Sequence, residues 1–129
     1  MSDFITCIIV DDEQDAIDLL TDRIGRLRMN IEVTGTYLHW KAALDALQED
    51  SADLLFLDIS MPVKNGFELL KLLPGLKSEI IFVTAYEQYM TDARSIPVRG
   101  YLLKPIDDKA LAVAVSKALT LVRNKKRKK

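Results

Sequence analysis

Five side chains in this 129-residue chain are of types that together could do phosphoryl chemistry: Asp11, Asp12, Asp58, Thr84 and Lys104. Each follows directly on an apolar run, Asp11-Asp12 after residues 4–10, Asp58 after 54–57, Thr84 after 80–83 and Lys104 after 98–103. Three carboxylates brought together repel and raise one another's pKa unless a cation neutralises them. A hard divalent ion such as Mg²⁺ meets that need, because it takes oxygen ligands, keeps several waters and binds through one or two carboxylates plus phosphate oxygens. Thr84 can offer a hydroxyl to a phosphoryl oxygen, and Lys104 a compact ammonium charge. A carboxylate nucleophile, a metal, a hydroxyl and an ammonium are the parts of a phosphoryl-transfer site, where the work is positioning and charge stabilisation.

Such a site needs a scaffold that gathers the ends of several strands. Five apolar runs, at 4–10, 31–37, 54–57, 80–83 and 98–103, alternate with helical segments, which predicts an α/β fold with a parallel sheet. Ile17, Leu20, Ile24 and Leu27 mark a first helix; Ala43, Leu44 and Leu47 a second; Phe67, Leu70 and Leu73 a third ending at Pro74-Gly75. A weakly apolar fourth is expected over 87–95, and Leu111, Val115, Ala118, Leu119 and Val122 mark a fifth. Runs one, three and four are continuously apolar, as strands covered on both faces are, whereas Glu32 and Thr34 interrupt run two and Arg99 and Gly100 run five. Placing runs two and five at the edges with right-handed crossovers gives the flavodoxin-like doubly wound order 2-1-3-4-5, a (βα)5 fold. Its switch point lies between strands one and three, beyond whose ends stand Asp11, Asp12 and Asp58.

Val10-Asp11-Asp12-Glu13, Leu57-Asp58-Ile59-Ser60-Met61-Pro62 with Asn65-Gly66, Val83-Thr84-Ala85-Tyr86 and Tyr101-Leu102-Leu103-Lys104-Pro105 together closely resemble the receiver domain of bacterial two-component response regulators. The likeness covers about residues 4–122 and implies specific roles. Asp58 is then the phosphoacceptor, taking a phosphoryl group from the phosphohistidine of a sensor histidine kinase or from a small acyl phosphate. Asp12 ligates Mg²⁺ directly and Asp11 through water, with Asp58 and the Ser60 carbonyl completing the protein ligands. Thr84 and Lys104 contact the phosphoryl group, Tyr101 is the aromatic switch, and the peptide before Pro105 is cis. The resemblance implies an output face formed by the fourth helix, fifth strand and fifth helix, and a homodimer formed on phosphorylation. Thr84-Ala85-Tyr86, Tyr89 and the stretch from Tyr101 to Ile106 are most similar to receivers of the LytR/AlgR type, which precede a LytTR DNA-binding domain used in transcription regulation. DNA contact is therefore expected only through an output domain that this chain lacks, and the chain is either an excised receiver or a stand-alone one, with excision favoured by the basic end. Pro97, Val98 and Gly100 depart from the small and acidic residues relatives carry before the switch aromatic, which bears on the dimer contacts.

Other readings compete. Alone, Asp11-Asp12 are helix-capping acids, Thr84 a loop hydroxyl and Tyr101 an edge-strand aromatic. A haloacid-dehalogenase-like phosphatase resemblance needs a second acid two residues after the nucleophile, where Ser60 stands, and an acidic turn after strand one repels the phosphate of a flavin. A phosphorylation-independent interaction module is the remaining alternative, although such proteins usually lose an acid, threonine or lysine that this chain keeps. The chain is therefore expected to be a signalling switch and not an enzyme beyond slow self-dephosphorylation.

Composition is consistent with this. With 49% apolar residues the chain can bury a core as a single domain, expected over 1–122. One cysteine, Cys7, excludes an internal disulfide, and one histidine, His39, excludes a histidine-cluster metal site. No stretch is long and apolar enough for a membrane span, so a cytoplasmic protein without membrane contact is expected. Six of the residues 123–129 are basic, leaving 12 basic and 19 acidic side chains over 1–122, a net of −7. An acidic body with a basic tail or linker start is not the broad positive surface that nucleic-acid binding uses.

Overall fold

The computed structural model describes residues 4–89 and 96–127. Five strands, β1 (Ile5–Val10), β2 (Ile31–Tyr37), β3 (Leu54–Leu57), β4 (Glu79–Thr84) and β5 (Gly100–Leu103), form one sheet in the order β2-β1-β3-β4-β5. Every neighbouring pair is parallel, and β2 and β5 are the edges, as their interrupted apolar patterns require. The helices are α1 (Gln14–Leu27), α2 (Trp40–Glu49), α3 (Gly66–Lys71) and a C-terminal α4 (Asp108–Arg127), with a single 3₁₀ turn at Glu87–Tyr89. The fourth helix expected from sequence falls mostly on residues 90–95, outside the described residues.

Alternate residues of the central strands point to opposite faces, so the sheet separates two cores. On one face Ile5, Cys7, Ile9, Phe56 and Val83 pack against Ile17, Leu20 and Ile24 of α1 and Leu111, Val115 and Leu119 of α4. On the other, Ile8, Val10, Leu55, Leu57 and Phe82 pack against Ala43, Leu44 and Leu47 of α2 and Leu69 of α3. Cys7 is fully buried, and burial pushes its thiol well above the ordinary range, consistent with an inert core residue. Helix α3 ends at Lys71, short of Pro74-Gly75, and its buried apolar residue is Leu69, with Phe67 and Leu70 only partly covered.

Two caps fix helix starts near the site. Asn65 accepts from the Glu68 amide at 2.9 Å and Glu68 returns a bond from the Asn65 amide at 2.9 Å, a capping box that starts α3. Asp107 accepts from the Ala110 amide at 2.9 Å and starts α4. Gly66, the first residue of α3, is required by space: a Cβ there would stand 2.8 Å from the Asp58 carbonyl oxygen and 3.0 Å from the Ile59 Cα. Gly66→Ala is expected to destabilise the fold by about 1–3 kcal/mol through this overlap with backbone, read as a lower urea midpoint at unchanged slope. An unchanged midpoint would show that α3 shifts freely.

Candidate functional site

The sequence-predicted residues are delivered to one end of the sheet by continuations of the strand ladders. Asp11 N donates to Tyr37 O at 3.1 Å, Asp58 N to Val10 O at 2.9 Å and Lys104 N to Thr84 O at 2.9 Å. Each bond lies at the carboxyl end of the parallel strands, the place where open α/β sheets bind ligands.

Local turns then aim the side chains in a repeated way. Asp11 Oδ1 accepts from the Glu13 amide at 3.0 Å, Asp58 Oδ1 from the Ser60 amide at 3.0 Å, and Thr84 Oγ1 from the Tyr86 amide at 3.4 Å. In all three a side-chain oxygen takes the N–H two residues on, the Asx- and ST-turn pattern that stiffens a loop beside its own side chain. This leaves Oδ2 of both aspartates to face Lys104, whose Nζ lies 2.7 Å from Asp11 Oδ2 and 3.3 Å from Asp58 Oδ2. Asp11, Asp58 and Thr84 are 5%, 4% and 0% exposed, so these contacts are made largely out of water.

The charge balance of the pocket is negative. Burial raises the Asp58 carboxyl, and the Asp11 charge raises it further; Lys104 and the Ser60 amide oppose both, and it settles at about 6. Burial alone lowers the Lys104 ammonium, but its bond to Asp11 and the charges of Asp58 and Asp11 overcome this and hold it above its ordinary value. Asp12 and Glu13 stand at the mouth, and the carboxylate oxygens of Asp11, Asp12 and Glu13 lie within 4.8 Å of one another. One ammonium therefore faces two buried carboxylates with two more acids beside them, and every side-chain donor is a hard oxygen. That donor set fits Mg²⁺. Glu13 was not singled out by sequence as a site residue, although it completes the acidic run after β1.

Tyr101 sits beside this site. Its hydroxyl donates to Tyr86 O at 2.7 Å, and its ring meets Phe82 edge-on at 6.3 Å. Phe82 meets Phe67 at 5.3 Å, Phe67 meets Tyr89 at 6.0 Å and Tyr89 meets Tyr86 at 6.0 Å, all edge-on. The rings thus form a circuit that the Tyr101–Tyr86 bond closes, tying β5, β4, α3 and the turn after Thr84. The Lys104–Pro105 peptide is cis. His39 precedes α2 without capping it through its side chain, and Trp40 begins that helix with the Lys64 ammonium 5.9 Å from its ring centre.

A parallel 2-1-3-4-5 sheet with an acid pair, a buried aspartate, a threonine and a lysine at its strand ends defines a doubly wound α/β domain with an acid-rich site at its switch point. The chain belongs to the response regulator receiver domain family, which residues 7–116 match. Among curated proteins it is 39% identical over 120 residues to an uncharacterized response regulatory protein of Shewanella oneidensis, covering 92% of this chain and 49% of that protein. It is 34% identical over 112 residues to the sensory transduction protein LytT of Bacillus anthracis, covering 85% of this chain and 45% of LytT. The chain thus spans about half the length of the curated relatives it matches. Among solved structures, the response regulatory domain of mrkE from Klebsiella pneumoniae superposes with a TM-score of 0.84 at 27% identity, over 93% of this chain and 99% of that one. The REC domain of AraT from Geobacillus stearothermophilus does so at 0.83 and 27% identity, over 98% and 99%. Among the described residues no helix is long and apolar enough to cross a membrane.

Proposed function

We propose that this receiver accepts a phosphoryl group on Asp58 from the phosphohistidine of a sensor histidine kinase, with Mg²⁺ bound by Asp11, Asp12, Asp58 and the Ser60 carbonyl. The observation that carries this reading is the Asp58 carboxyl, 4% exposed and shared with Asp11 through Lys104 Nζ. An Asp58 carboxylate oxygen bonds to phosphorus as the phosphorus–nitrogen bond to the donor imidazole breaks, and the bonding pair leaves with the imidazole. With a pKa of about 6 the carboxyl is ionised, and so nucleophilic, at neutral pH. Mg²⁺, when bound, supplies charge neutralisation for phosphoryl oxygens. Lys104 offers its ammonium to the same group, and Thr84 its hydroxyl once the Tyr86 amide is released.

The phosphoryl group adds about −1.5 to −2 charges, and its contacts with Thr84 and Lys104 favour one arrangement of the turn after β4 over another. Tyr101, bonded to Tyr86 in that turn, is the switch residue by which β5 and α4 report the change, and dimerisation of the modified protein follows through that face. The likeness to LytT supports an output through a LytTR-type DNA-binding domain controlling transcription in the cytoplasm. In this reading the chain is a switch and not a metabolic enzyme.

The test is intact mass after incubation with acetyl phosphate, with and without Mg²⁺, for wild type and Asp58→Ala. A gain of one phosphoryl group that needs Mg²⁺ and vanishes in the variant is expected. Label that persists in Asp58→Ala would move the acceptor elsewhere, and no label in the wild type under conditions where Mg²⁺ binds would favour a module that works unmodified.

A further inference from the structure

The opposite end of the sheet carries an ion network that the phosphoacceptor chemistry does not use. Glu79, the first residue of β4, is 5% exposed. Its Oε1 accepts from Arg99 Nε at 2.7 Å, and its Oε2 is paired with Lys125 Nζ. Arg99 immediately precedes β5, while Lys125 lies in the last turn of α4. Lys125 also donates to Lys77 O at 3.0 Å, and the adjacent Lys126 pairs with Asp53 at 3.2 Å. Asp53 is itself held by the Thr6 amide at 2.9 Å and the Thr6 hydroxyl at 3.2 Å.

Two elements distant in sequence therefore close on one buried carboxylate. Burial pushes the Glu79 carboxyl up, but the hydrogen bonds and charges of Lys125 and Arg99 outweigh it and hold the group below its ordinary value, so it stays ionised. A buried carboxylate that loses one of two cations is left partly uncompensated and free to reorient, which weakens its hold on the other. The same two elements also touch one residue further on. A Cβ at Gly100 would stand 2.8 Å from the Ala114 Cβ, so the start of β5 lies directly against α4. At its other end β5 leads into Lys104, the ammonium of the site.

We propose that Glu79 is a clamp that couples the entry of β5 to the C-terminal turns of α4, so that loosening either element loosens the other. A contiguous line then runs from Lys104 along β5 to Arg99, across Glu79 and into Lys125, by which strain at the site reaches the end of the helix. Spatial continuity is not itself coupling, and a mutant cycle measures it. The inference does not depend on phosphorylation and is tested on the unmodified chain.

Arg99 and Lys125 side chains are 40% and 54% exposed, so each can be replaced by Met with little disturbance to the core. Native-state amide hydrogen exchange by NMR follows residues 100–103 and 121–127 in wild type, Arg99→Met, Lys125→Met and the double variant. Arg99→Met is expected to speed exchange in the last turns of α4 about tenfold, the size of a charged hydrogen bond, although its ion pair is with β4. Lys125→Met should speed exchange in β5 by the same factor, because coupling between two sites is reciprocal. The double variant then falls short of the product of the single effects. Effects confined to the element that carries the substitution, or multiplying independently in the double variant, overturn the clamp. An equal rise across the β1 and β3 amides, which marks a merely global loss of stability, overturns it too.

Discussion

Asp58→Asn is expected to be more stable than the wild type at pH 7.5, by about 3 kcal/mol, while taking no phosphoryl group. In the folded protein the Asp58 carboxyl titrates at about 6, above the ordinary 3.8. Between those values the folded chain holds a proton that the unfolded chain has released, so stability falls as pH rises from about 4 to about 6 and is level above. Asparagine keeps the shape and the bond from the Ser60 amide but carries no charge, and the fall disappears. Urea unfolding of both proteins at pH 4 and pH 7.5 measures this. The gap between them should be small at pH 4 and open at pH 7.5; a gap of equal size at both would mean that the carboxylate is not strained by its surroundings. A residue that destabilises its own fold in the ionised form is one held for chemistry.

Lys104→Met is expected to act in the opposite direction. The ammonium is 21% exposed and pairs with both buried aspartates, so its removal leaves Asp11 and Asp58 facing each other without a counter-charge. Breaking a buried ion pair from one side costs about 3–5 kcal/mol, and the partial exposure of Lys104 places this variant near 3. The loss should shrink at pH 5, where Asp58 takes up a proton with the opposing charge of Lys104 gone. It should also shrink on adding Mg²⁺, because without the Lys104 ammonium competing for the Asp11 and Asp58 oxygens the variant binds the cation more tightly than the wild type and gains more by mass action. Urea midpoints for the wild type and the variant across a Mg²⁺ series decide the matter. A variant as stable as the wild type, or one indifferent to Mg²⁺, would mean that the pocket tolerates its carboxylates without a cation.

Much of the architecture was legible because it rests on patterns local in sequence. The alternation at Glu32 and Thr34 and the interruption at Arg99 and Gly100 identified the edge strands, and the observed order places β2 and β5 there. Helical spacing identified the buried residues of α1, α2 and α4, to which the structure adds Ala114. Short helices carry too few turns for that signal: Phe67, Leu70 and Leu73 marked α3, whereas Leu69 is its most buried apolar side chain. The motif residues at strand ends could be placed because parallel strands in this order bring Asp11, Asp58, Thr84 and Lys104 to one end of the sheet. What long-range contacts decide was not legible. Asn65-Gly66 could be read as a turn, but that Gly66 is needed for its closeness to the Asp58 carbonyl follows only from the packed backbone. Glu79 lies just outside the apolar run 80–83 and carries no sequence signal of its own; its partners Arg99 and Lys125 come from elements far along the chain. The basic residues 123–129 read as a tail or linker start, and nothing in their sequence pointed to α4 running to Arg127 or to its lysines pairing with Glu79 and Asp53.

The position of Trp40 gives the chain an optical property. It is the sole tryptophan, it opens α2, and the Lys64 ammonium from the loop between Asp58 and α3 lies 5.9 Å from its ring. A cation near an indole shifts its excited state and quenches its emission in a distance-dependent way, and selective excitation leaves the four tyrosines dark. Fluorescence from this protein is therefore a local signal, reporting the loop that borders Asp58 without any attached dye.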